Sequence, residues 1–271
     1  MTKKIVLVGG GNMGEALVAG LVRSGHWKPS QITVCDVRHD QLASLQLRYK
    51  VKASIDNRRS VRNANVILLA VKPQHMKPVL EDLGPVIRKT QLVLSIAAGI
   101  PTKFIEKFLA KRVPVIRIMP NTPALVGLGM AALALGRAAQ ETHEHLARAI
   151  METVGSVVTV SEKEMDAVTA VSGSGPAYVF YLAEAMRDAG VELGLAPHVA
   201  DLLVRQTVKG AGALLSQSHE EARTLRQRVT SPGGTTEAAL KIMEKARMRS
   251  IISKALRRAA DRSRELSRAQ H

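Results

Sequence analysis

The residues of this chain best placed for chemistry are glycines rather than acids or bases. Gly9-Gly10-Gly11-Asn12-Met13-Gly14 lies directly after the apolar run Ile5–Val8 and opens a helical pattern. In a G-x-G-x-x-G turn the first glycine, Gly9, permits the tight turn, and the second, Gly11, lets the backbone approach a pyrophosphate. The third, Gly14, lets helix and strand pack closely, and the helix N-terminus turns unpaired N–H groups and its positive dipole end toward phosphates. Glycine turns after strands are common, so the pattern gains meaning from its strand–turn–helix context. There it reads as a dinucleotide site that includes Asn12 and Met13. Asp36, at the end of the next β-branched run, follows Gly14 by about 20 residues, the spacing of a carboxylate that bonds the adenosine ribose and favours NAD. Arg38 points the other way, because a guanidinium pairs with the 2′-phosphate of NADP. NAD(H) and NADP(H) both fit, and these two residues leave the preference open.

Three further segments stand where strands should end: Ala70-Val71-Lys72-Pro73-Gln74, Ser95-Ile96-Ala97-Ala98-Gly99 and Met119-Pro120-Asn121-Thr122-Pro123. Each alone is a turn. Three in register favour one crevice, because ligands of doubly wound sheets bind at the carboxyl ends of strands. The small residues Ala97, Ala98 and Gly99 leave room for a flat ring near the backbone. Farther along, Ser231-Pro232-Gly233-Gly234 is a turn, and Thr235-Thr236 opens a helix with hydroxyls placed to cap it. Donors at Gly234, Thr235 and Thr236, with the helix dipole, make a seat for a small carboxylate. Read by themselves, the same residues are a capped turn. No catalytic His–Asp pair or Ser-His-Asp order stands out. His143 and His145 flank Glu144 in a charged helix without partner ligands, so no metal site is expected.

These residues need a frame of strands with their ends on one edge. The first 160 residues alternate short β-branched runs with helical patterns, the signature of a parallel α/β sheet. Expected strands are Lys4–Val8, Ile32–Val37, Val66–Val71, Leu92–Ala97, Val115–Met119, Met130–Leu135 and Val157–Val160. Expected crossover helices are Gly14–Ser24, Asp40–Leu47, Met76–Leu83 and Thr102–Ala110. After Val160 the pattern is helical, with breaks at Ser172–Pro176, Gly190–Pro197, Ser216–His219 and Ser231–Gly234. The fold expected is α/β: a Rossmann-type dinucleotide-binding domain over residues 1–160, then an all-helical domain over residues 161–271. The helical half, rich in small and apolar residues, is expected to bury itself against a second subunit.

Composition narrows the function classes. The chain is 46% apolar but only 3% aromatic, so its core must be aliphatic. No apolar run approaches the length needed to cross a bilayer, and Ile5–Val8 is too short for a signal-peptide core. The single cysteine, Cys35, excludes an internal disulfide framework and fits a reducing cytoplasm. The net charge is +16, and much of the excess lies between Lys241 and Arg268, at helical spacing among Ile251, Ile252, Leu256 and Leu266. That pattern reads as a solvated helix face. Without interleaved aromatics to stack on bases, no nucleic-acid partner is expected.

Taken together, the loops resemble those of the pyrroline-5-carboxylate reductase family, along essentially the whole chain. The carrying segments are Val8–Gly14, Leu69–Gln74, Ser95–Gly99, Met119–Ala124, Ala167–Tyr178 and Val229–Thr236, the last two being highly specific. The resemblance implies hydride transfer from a nicotinamide to the C=N carbon of 1-pyrroline-5-carboxylate, giving L-proline. It makes Thr236 the hydroxyl near the imine nitrogen and Ser231, Gly233, Gly234 and Thr235 its neighbours around the substrate. It also places Asn57 at the adenosine ribose and Glu162 near the nicotinamide end, and it implies a homodimer or a larger ring of dimers. The chain departs from the family just before the substrate turn, where Gln227 replaces an expected aspartate and Arg228 a smaller or neutral residue. Two other readings remain: a related cyclic-imine or hydroxyacid reductase, and a non-catalytic dinucleotide-binding protein with a basic nucleic-acid-binding tail.

Overall fold

The computed structural model describes residues 3–268. In chain order the elements are β1 (Ile5–Val8), α1 (Asn12–Arg23), β2 (Ile32–Cys35), α2 (His39–Tyr49), β3 (Lys52–Ser54), α3 (Asn57–Arg62), β4 (Val66–Leu69), α4 (Met76–Leu83), β5 (Leu92–Ser95) and α5 (Thr102–Glu106). They continue with β6 (Val115–Met119), β7 (Gly129–Leu135), α6 (Glu141–Met151), β8 (Gly155–Thr159), α7 (Met165–Val168), α8 (Gly175–Glu192), α9 (Pro197–Gln217), α10 (Ala222–Arg228), α11 (Thr235–Lys245) and α12 (Met248–Arg268).

The eight strands form one sheet in the order β3-β2-β1-β4-β5-β6-β7-β8. β1, β4 and β5 are buried at every position, because helices cover both faces. Alternate residues feed separate cores: Ile5 and Leu7 pack with Leu17, Leu21 and Leu45, whereas Val6 and Val8 pack with Val61, Leu80 and Ile105.

The sheet is parallel, as expected, except at one pair. β6 and β7 run antiparallel, with Ile116 opposite Leu135 and Met119 opposite Ala132. Their connection, residues 120–128, carries only the short 3-10 turn Thr122–Val126, less than the dozen or so residues a parallel crossover needs. β7 and β8 are parallel again, across α6. The sequence pattern also missed β3. Lys52-Ala53-Ser54 has no β-branched residue, and it becomes a strand by pairing with Thr33–Cys35 at the sheet edge. The helix expected over Thr102–Ala110 ends at Glu106, where the backbone tightens into shorter-range bonds such as Lys107 N–H to Phe104 O.

The described residues divide into two compact units, one reaching to Ser174 and resuming at Arg258, the other Gly175–Arg257. The first anticipated interruption, Ser172–Pro176, runs from the end of the first unit into the start of α8; the other three fall at or beside helix ends in the second unit, where Pro197 opens α9. A further break, at Ala246-Arg247 between α11 and α12, carries no glycine or proline to signal it; Arg247 adopts a left-handed φ of 54°. α8 has no buried residue and exposes Phe180 and Tyr181.

Candidate active site

Because β1 to β6 run parallel, the loops that leave them emerge at one edge of the sheet. β1 lies between β2 and β4, so the strand order reverses beside it and opens a crevice at the Gly9–Gly14 turn. Gly9 has φ +106°, and a Cβ there would lie 2.7 Å from the Ala70 carbonyl group. A Cβ on Gly14 would drive into the Gly9 carbonyl oxygen. Gly11 differs: a Cβ would meet no protein atom within 4 Å, so packing within the protein does not require the glycine. Gly11 is also the N-cap of α1, and no side chain caps that helix. Open space beside uncapped N–H groups fits a pyrophosphate.

Gly10 is gripped on both sides of its own backbone. Its N–H donates to Asp36 Oδ2 at 2.7 Å, and its carbonyl oxygen accepts from Gln41 Nε2 at 2.6 Å. The other Asp36 oxygen accepts from the Arg38 N–H at 2.9 Å and from Arg38 Nε at 3.2 Å. Burial pushes the Asp36 carboxyl up, but these donors and the guanidinium charge outweigh it and hold the group below the usual aspartate range. The two residues that pull cofactor choice in opposite directions are thus bonded to each other. Gln41 reaches back from α2, and nothing in the sequence pattern singles it out.

The remaining edge residues follow. Asn57 begins α3 directly after β3, with Asp56 as its cap through the Arg59 N–H. Ala70 continues the sheet by donating to the Val8 carbonyl at 2.8 Å, Val71 and Pro73 are half-buried, and Lys72 is exposed. Ala97 is buried. Asn121 uses its side chain structurally: Oδ1 accepts from the Met130 N–H at 2.8 Å, and Nδ2 donates to Ser172 O at 3.3 Å.

Glu162 receives the Arg117 Nη1 donor at 2.7 Å and the Thr102 hydroxyl at 3.0 Å. Arg117 is 3% exposed, and its Nη2 has no partner among the described residues. The signal in the sequence for Arg117 is a lone charge inside the apolar strand Val115–Met119.

In the second unit, Gly233 turns with φ +73° and α11 starts from Gly234 as N-cap. The expectation that the threonine hydroxyls cap α11 is corrected. No side chain caps at Gly234; instead Glu237 reaches back to accept from the Gly233 N–H at 2.8 Å. That hydrogen bond, then Lys241, keeps the Glu237 carboxyl below its usual range. The Ser231 carbonyl accepts from the Gly234 N–H at 3.0 Å. Thr235 is exposed and Thr236 half-buried. Ahead of the turn, Arg228 is paired with Glu220, and the Gln227 carbonyl accepts from the Thr230 N–H. Among the described residues no group of three His, Cys, Asp or Glu is placed to hold a metal. His143 caps α6 by accepting the Gln140 N–H on Nδ1.

Known proteins share this architecture. Residues 162–266 match the family described as Pyrroline-5-carboxylate reductase dimerisation, and residues 4–99 match the one described as NADP oxidoreductase coenzyme F420-dependent. A pyrroline-5-carboxylate reductase of Synechocystis sp. is 41% identical over 99% of this chain and 100% of its own. The structure of a pyrroline-5-carboxylate reductase from Coxiella burnetii matches with a TM-score of 0.93 at 41% identity, covering 98% of this chain and 99% of that one. A Plasmodium falciparum pyrroline carboxylate reductase, solved with NADP bound, matches with a TM-score of 0.87 at 28% identity, covering 98% of each chain. With identity at this level along nearly its full length, the chain belongs to the pyrroline-5-carboxylate reductase family.

Proposed function

We propose that this protein reduces 1-pyrroline-5-carboxylate to L-proline with NADPH or NADH, the last step of proline biosynthesis. The observation that carries the reading is the intact Ser231–Thr236 turn, in a chain similar from end to end to reductases of that name. Residues 1–160 serve as the dinucleotide-binding domain and residues 161–271 as the helical dimerisation and substrate domain.

Gly9, Gly11, Asn12, Met13 and Gly14 receive the pyrophosphate, and Asp36, Arg38 and Asn57 receive the adenosine end. Ala70, Val71, Lys72, Pro73 and Ala97 shape the path toward the ring. Asn121, with its amide engaged by Met130 and Ser172, fixes the loop after β6 rather than donating from its side chain. Glu162, whose two oxygens are held by Arg117 and Thr102, serves the nicotinamide end. When bound, the reduced nicotinamide supplies the hydride. The substrate carboxylate is held by Ser231, Gly233, Gly234 and Thr235 at the uncapped start of α11. The Thr236 hydroxyl bonds the ring nitrogen as it becomes an amine. A protonated imine is already electrophilic, so the chain contributes chiefly orientation.

The working assembly is a homodimer or a ring of dimers, supported by the dimerisation match and by the exposed apolar side chains of α8. The reaction takes place in the cytoplasm. In support, no helix among the described residues is long and apolar enough to cross a membrane, and Cys35 is the single cysteine. The test is oxidation of NADPH and NADH, side by side, with pyrroline-5-carboxylate. Substrate-dependent oxidation is expected with at least one cofactor, and its absence with both overturns the reading.

A further inference from the structure

Glu237 is bonded to the turn ahead of α11 in a way that helix capping alone does not require. In a capping box the acid at the third helical position reaches back to the N–H of the N-cap. Here the N-cap is Gly234, and its N–H is already spent on the Ser231 carbonyl at 3.0 Å. Glu237, at that third position, reaches farther back: Oε2 accepts from the Gly233 N–H at 2.8 Å, while Oε1 pairs with Lys241 Nζ at 3.2 Å. Gly233 holds a left-handed φ of +73°, and a Cβ there would meet no atom within 4 Å, so no neighbour packs against that side of it. Pro232, before it, has no N–H to donate. The N–H groups of Thr235 and Thr236, the first two of α11, have no acceptor among the described residues.

We propose that Glu237 is a positioning residue for the substrate. It holds Gly233, fixes the shape of the Ser231–Gly234 turn, and so leaves the Thr235 and Thr236 N–H groups as the pair that receives the substrate carboxylate. Within that seat the two glycines supply shape, their own N–H groups being engaged by Glu237 and by the Ser231 carbonyl. A carboxylate in the first turn of a helix competes with an incoming carboxylate for the positive end of the dipole. Lys241, one turn along α11, pairs with Glu237 and offsets part of that charge. With the turn held in shape before the substrate arrives, less binding energy goes into ordering it. The inference rests on the proposed reading that this turn takes the carboxylate of 1-pyrroline-5-carboxylate, and it deepens that reading.

The test is steady-state kinetics on the full chain, with pyrroline-5-carboxylate and the cofactor varied in turn. Glu237→Ala removes the acceptor. It should raise the KM for substrate about 10-fold, the loss of a charged hydrogen bond, and leave kcat and the cofactor KM within about threefold. Glu237→Asp keeps the charge and the acid in the first turn, but is a methylene too short to reach Gly233. It should behave like Glu237→Ala, and it decides the matter where the alanine variant does not fold. Glu237→Gln keeps the reach and an acceptor oxygen without the charge, and should stay within about threefold of the parent. An unchanged or lower substrate KM in the alanine and aspartate variants overturns the proposal, because the carboxylate is then idle or opposes the substrate. A glutamine variant as impaired as the alanine one also overturns it, since charge rather than the hydrogen bond would be the cause. So does a loss spread equally over kcat and both KM values, the mark of a general structural role. A parent protein without substrate-dependent turnover removes the carboxylate seat itself, and this inference with it. A parent that turns over, beside variants that do not separate, removes this inference alone.

Discussion

At the scale of single residues, the proposed site divides into groups that would touch ligands and groups that hold those in place. Thr236 is assigned to the first class by resemblance and by its half-buried place in the first turn of α11. Thr236→Ala should lower turnover by roughly 100-fold while leaving dinucleotide affinity within about threefold. Stopped-flow turnover beside a cofactor titration measures both, and equal turnover in the variant removes the hydroxyl from the mechanism. Asp36 belongs to the second class and carries a pH signature. Its carboxyl is lowered in the fold, so its contribution to stability is full above the unfolded aspartate value of about 3.9 and is lost as pH falls through the folded value. Urea midpoints of the protein and of Asp36→Asn should differ by a constant amount near neutral pH and converge below about pH 4. A gap that persists unchanged to pH 3 would show that Asp36 is not held by the donors seen here.

At the scale of elements, the junction of β1 and α1 leaves little freedom in packing. Gly14 leaves no room for a side chain against the Gly9 carbonyl oxygen, which is backbone and cannot rotate aside. Gly14→Ala should therefore destabilise the protein by about 1–3 kcal/mol, as overpacking does, and weaken both cofactors together. A thermal melt with and without dinucleotide reads this; a variant as stable as its parent would mean that α1 slides freely over the strand. Such element-scale features were legible because strand, glycine turn and helix are contiguous in the chain. The same holds for the helix breaks at Gly190–Pro197 and Ser231–Gly234. β3 was not legible, since Lys52–Ser54 lacks strand-forming residues and extends only because β2 offers it a partner.

At the scale of the whole molecule, α8 exposes apolar side chains in a single chain, and the proposed homodimer would cover them with a second copy. Phe180→Asp should shift the protein toward monomer and lower its thermal midpoint, because a charge would be carried into an apolar interface. Light scattering on a sizing column checks it, and an unchanged mass places the subunit contact elsewhere. The sequence by itself determined the α/β class, the glycine turn after β1, the Ser231–Gly234 turn ahead of α11 and the family. Each is written in residues adjacent in the chain, where backbone freedom, capping and periodicity act over a few positions. Only the tertiary structure decided that β7 reverses direction, that Arg117 lies buried against Glu162, and that Asp36 faces Gly10 and Arg38 together. Direction followed from the length of a connection relative to the span it had to cross. The polar pairings depend on burial and on which distant groups share a low-dielectric site, and neither has a local signature in the sequence.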